Sequence, residues 1–91
     1  MSDIRELTML QRQLDKLRDA KPNQRNAIED AVRLWGSRLY TWTKATESTM
    51  EKQLAWLDHH QDAPTYEQRF DEWVALLRQY EKACDLLAVA A

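Results

Sequence analysis

Two adjacent histidines, His59 and His60, lie between Asp58 and Asp62, and by residue type they are the best-suited metal ligands in the chain. A zinc centre takes three or four converging ligands, usually including further His or Cys. The single thiol, Cys84, falls near the far end of a different predicted helix. A di-metal carboxylate bundle requires Glu-x-x-His motifs. The positions three before each histidine are instead Trp56 and Leu57. Histidines ending a helix sit favourably beside its negative pole, so the pair is expected to close a helix, with no metal and no other cofactor.

Carboxylate chemistry is no better supported. Glu47 with Glu51, and Glu67 with Asp71, are spaced to share a helix face. Acid–base catalysis would need a cleft that drives the pKa values of such a pair apart. Lys44, Lys52 and Arg69 nearby instead suit a solvated, charge-mixed surface. The hydroxyls between Thr41 and Thr49 have no base at a spacing that would activate one. One glycine cannot build a phosphate-cradling turn. Cys84 falls on an apolar helical seam, where packing is its expected use. No catalytic residue and no small-molecule substrate are expected.

The elements that position these residues are all helical. The 91 residues are 44% hydrophobic and 31% charged with only one Gly and two Pro, which excludes a disordered chain and favours a single helical domain over 1–91. The spacing predicts three helices, over about 3–20, 24–58 and 65–89. Leu7, Leu10, Leu14 and Leu17 form a narrow stripe on the first, with Asp3 as its expected cap and Glu6 completing a capping box. Pro22 ends that run. Asn23 is the expected cap of the second helix, whose stripe is Ile28, Val32, Trp35, Leu39, Trp42, Thr46, Met50 and Leu57, widened by Ala31, Leu34, Ala45 and Trp56. Gly36-Ser37 is its weak point, where a break would convert three helices into four. After Pro64, Thr65 with Gln68 begins the third, along a seam of Tyr66, Phe70, Trp73, Leu77, Tyr80, Cys84 and Leu87.

Short connections make successive helices antiparallel, which predicts a three-helix bundle drawn out into a long helical hairpin. The first helix is too short to accompany all of the second. Around Trp35, Leu39 and Trp42 three helices meet; beyond about Ala45 only two remain. That two-helix section nevertheless carries Met50, Leu54, Trp56, Phe70 and Trp73. Large apolar and aromatic side chains without a third helix to cover them are the expected contact residues for a protein partner or a second copy of the chain. The function expected is a non-enzymatic helical interaction module: an accessory or structural subunit, an adaptor or a small inhibitor.

Charge offers a different possibility. Across 12–44, Arg12, Lys16, Arg18, Lys21, Arg25, Arg33, Arg38 and Lys44 outnumber Asp15, Asp19, Glu29 and Asp30, while 58–91 is acidic by a similar margin. Arg18, Lys21 and Arg25 would then contact a nucleic-acid backbone, as in a small subunit of a nucleoprotein complex. The overall balance of thirteen basic against fifteen acidic residues makes this the lesser expectation. No stretch reaches the roughly 20 apolar residues of a membrane span, and the opening MSDIREL has neither the basic start nor the apolar core of a secretory signal. With its single cysteine, the chain is expected in the cytoplasm.

Overall fold

The computed structural model describes residues 3–91; Met1 and Ser2, which the single-domain span includes, lie outside them. Three helices make up the fold: α1 (Arg5–Arg18), α2 (Pro22–His59) and α3 (Tyr66–Ala90). They form an antiparallel three-helix hairpin, a rod of 59 × 21 × 16 Å.

The helix starts differ from the predicted caps. Ile4, not Asp3, is the N-cap residue of α1, and no side chain caps it. The Asp3 carboxylate accepts hydrogen bonds from Lys82 Nζ and Gln79 Nε2, each at 3.2 Å, while the Ile4 N–H donates to Gln79 Oε1 at 3.4 Å. Side chains on α3 therefore take the role expected of a local capping box. α2 opens with Pro22 in its first turn, where a missing N–H costs nothing, and Asn23 is already helical. Thr65 is the N-cap residue of α3, as expected, but its side chain makes no cap bond, and Gln68 instead donates to Glu72 at 3.3 Å.

Helix α2 runs unbroken through Gly36 and Ser37, so the four-helix alternative does not form. The apolar stripe keeps phase across the glycine, and burial of Val32, Trp35 and Leu39 on either side holds it helical. A methyl group at Gly36 would meet nothing within 4 Å. Gly36→Ala should therefore stabilise the chain by about 1 kcal/mol through backbone entropy alone. Urea titration should show a higher midpoint at unchanged slope.

The core lies where all three helices run together. Leu7 and Leu10 of α1, Val32, Trp35 and Leu39 of α2, and Ala83 and Leu86 of α3 form one buried cluster. Leu10, Leu39 and Ala83 are fully enclosed. The last turn of α3 reaches only as far as Gln11 and Arg12, which share a hollow with Val89. Toward Pro22, α1 and α2 continue alone, and Leu14, Leu17 and Ile28 are only half-buried. The rod is thus a three-helix middle with a two-helix section at each end.

Four residues of the predicted stripes, Cys84, Leu34, Ala45 and Phe70, lie outside. Cys84 is exposed, because the C-terminal half of α3 packs against α1 as well as α2, which turns its buried arc toward Ala83 and Leu86. Leu34 is 49% exposed, since no helix reaches around to its side of α2.

Candidate protein interface

Beyond Ala45 the rod consists of α2 and α3 alone. Thr46 and Leu57 are buried along this section, and Trp73 crosses the seam, its indole N–H donating to the Met50 carbonyl at 3.3 Å. This is the pairing of Trp73 with Met50 that helix pitch and the loop position predict. On one flank, Met50, Leu54, Trp73, Glu47, Glu51 and Tyr80 line an open hollow of about 210 Å³. Leu54 is 44% exposed and Phe70 43%. Phe70 stacks on Tyr66 at 6.2 Å between ring centroids, so those two rings form a local aromatic pair at the start of α3.

Trp56 is separated from this group. It lies on the opposite flank with Gln53, Leu57, Arg69 and Glu72. Its ring is stacked with His60 at 4.5 Å and an interplanar angle of 6°, and the Arg69 guanidinium lies 4.3 Å from its centroid. His60 also places Nδ1 2.8 Å from the Trp56 carbonyl, at the end of α2. Four of the five expected contact residues, Met50, Leu54, Phe70 and Trp73, belong to the α2–α3 section without such cover; Trp56 is engaged by its own chain.

A hydrogen-bonded pair borders the hollow. Tyr80 donates its hydroxyl to Glu47 Oε1 at 2.6 Å, and Lys44 Nζ lies 3.6 Å from the same oxygen. The Tyr80 bond lowers the Glu47 pKa, burial opposes it more weakly, and Lys44 adds to the lowering. Tyr80 is raised in turn, first by its bond to Glu47 and then by Cys84. A depressed carboxylate contributes stability above its unfolded pKa and loses it as pH falls through the folded value. Acidification below the ordinary glutamate value of 4.5 should therefore destabilise the native chain more than a Glu47→Gln variant. Parallel thermal melts at neutral and acid pH measure the difference. Tyr80 has the opposite sense: its contribution persists below the ordinary value of 10.0 and fades at higher pH.

Tyr40 belongs to the same landscape although the apolar stripe does not include it. It is 55% exposed, more than any other aromatic among the described residues, and Lys44 Nζ lies 5.3 Å from its ring. Its signal in the sequence is negative: it follows Leu39, about 100° away from the buried stripe, where a large aromatic has no neighbour to face.

The residues expected for nucleic-acid contact lie around the Pro22 end. Arg25 is bonded to Glu29 at 3.0 Å and Arg18 lies 3.9 Å from Asp15, both along their own helices. Lys21 is exposed immediately before α2. Among the described residues, no group of three or more His, Cys, Asp or Glu could hold a metal ion, and no helix is long and apolar enough to cross a membrane.

Fold and face together define an all-α helical hairpin with a partly apolar two-helix end. No protein-family model matches the chain, and no curated protein or solved structure matches it.

Proposed function

We propose that the chain is a non-enzymatic protein–protein interaction module, working as an accessory or structural subunit, an adaptor or a small inhibitor through the α2–α3 face. One observation carries this: Leu54, 44% exposed, lines a hollow with Met50 and Trp73, and Phe70, 43% exposed and stacked on Tyr66, lies on the same end of the rod, which has two helices instead of three. Large exposed apolar side chains grouped at one end of a molecule mark interaction sites, and large central side chains dominate binding energy. The setting proposed is the cytoplasm, where a lone exposed thiol persists. The nucleic-acid reading ranks below this one, because carboxylates beside Arg18 and Arg25 reduce the charge offered to phosphate.

Immobilised chain should retain a stoichiometric partner from its native source. The double variant Leu54→Glu, Phe70→Glu should lose it, while Leu34→Glu, an equally exposed leucine away from the hollow, should keep it. Circular dichroism establishes that all three are folded. Equal retention by the double variant and the native chain would overturn the assignment of this face.

A further inference from the structure

We propose that the occupant of this face is a second copy of the chain, antiparallel about a two-fold axis that runs between the two α2 helices, level with the Ala45–Thr46 step. Tyr40 of each copy enters the hollow of the other. The inference rests on the docking face proposed above and names its partner.

The pattern along α2 is self-complementary. At about 100° per residue, Arg33, Gly36, Tyr40, Glu51, Leu54 and Asp58 fall within an arc of about 60°. α1 does not occupy this stripe: it packs against the Trp35 side of α2, where Arg5 lies over the Trp35 ring. Between Arg33 and Asp58 the stripe carries its basic residues, Arg33 and, at its edge, Lys44, on the Pro22 side and Glu47, Glu51 and Asp58 on the His59 side, while Glu29 lies beyond Arg33. An antiparallel copy reverses that order. Counting outward from the axis, Lys44 meets the second copy's Glu47 beside the Glu47 of its own helix, Tyr40 meets the second copy's Glu51, and Arg33, an exposed guanidinium already paired with Asp30 three residues earlier, gains the second copy's Asp58 as a further carboxylate. Each contact occurs twice under the two-fold, as an isologous interface requires. A parallel copy, or a slip of one turn that sets Lys44 against Lys44, brings like charges together instead.

Shape agrees with charge. Tyr40 is the most exposed aromatic among the described residues, and the hollow of about 210 Å³ beside Met50, Leu54 and Trp73 has Glu51 on its wall to accept the phenol hydroxyl.

Sedimentation equilibrium on the full chain, from micromolar to submillimolar concentration, tests the assignment. The native chain should dimerise. Arg33→Asp and Asp58→Arg should each raise the dimer dissociation constant about tenfold or more, since two attractive pairs become two repulsive ones. An equimolar mixture of these two variants should recover near-native affinity, because both cross-pairs become attractive in the heterodimer. Tyr40→Ala, at a position more than half exposed in the single chain, should weaken the dimer with unchanged circular dichroism, and it serves if a charge variant fails to fold. A monomer throughout the range, a dimer indifferent to these substitutions, or a mixture without recovery would overturn the inference. A monomer whose foreign partner is still lost with Leu54→Glu, Phe70→Glu overturns the second copy alone and leaves the docking face standing. A monomer with no such loss overturns both.

Discussion

Leu39→Ala should lower the unfolding free energy by about 2–5 kcal/mol, toward the upper end of that range. Leu39 is fully enclosed in the cluster to which all three helices contribute. Truncation there removes buried methyl groups and leaves a cavity whose walls belong to three rods. Those rods are also tied elsewhere: Asp3 and Ile4 to Gln79 and Lys82, and Trp73 to Met50. Inward collapse is correspondingly restricted. Leu57 is nearly as buried, at 4% exposed, but it lies between two helices only. Leu57→Ala should cost less, because water and neighbouring side chains reach that space more readily. Domains of this size typically hold about 5–15 kcal/mol in all, so Leu39→Ala consumes a large fraction of the total. Chemical denaturation of both variants would show the ordering, and equal losses would contradict the three-helix middle as the mechanical centre of the fold.

Trp35→Ala should be comparably severe, about 3–5 kcal/mol. The indole is buried to 9% exposure within the same cluster. Its ring also carries two cations, Arg38 with its guanidinium carbon 4.9 Å from the centroid and Arg5 at 5.6 Å. One arginine comes from α2 and the other from α1, so the ring joins the two helices by packing and by electrostatic attraction to its face. Contacts of that type contribute about 0.5–1 kcal/mol each at exposed sites. Arg38→Ala should therefore cost far less than Trp35→Ala, and Trp35→Phe should fall between them. Thermal unfolding of the three variants gives the order. A Trp35→Ala loss no greater than that of Arg38→Ala would mean that the ring is not a core residue.

Much of the candidate site was legible before any coordinates. Leu54, Phe70, Met50 and Trp73 could be placed together because helix pitch and the position of Pro64 set which turn of α3 passes which turn of α2, and Trp73 does bond to Met50. Trp56 was not separable from them by the same means. It counts among the large apolar side chains of α2, but its environment depends on Arg69 from the facing helix and His60 from the following turn. Tyr40 was illegible for the opposite reason: hydrophobic periodicity identifies residues that face a neighbour and is silent on an aromatic that faces none.

By itself the sequence determined that the chain is helical, where its helices turn, and that a central rod outruns its first companion. Those are consequences of local chemistry: apolar side chains at spacings of three and four, a proline without an N–H, and too few glycines to break a long run. Only the tertiary structure decided how each helix is rotated about its axis and how it begins. Cys84 lies outside because α3 has two neighbours at that level, and Asp3 bonds to α3 because a lysine and a glutamine from a distant part of the chain come within reach of its carboxylate. A helix's period is a property of its own backbone, whereas the direction it faces is the sum of what every other helix offers it.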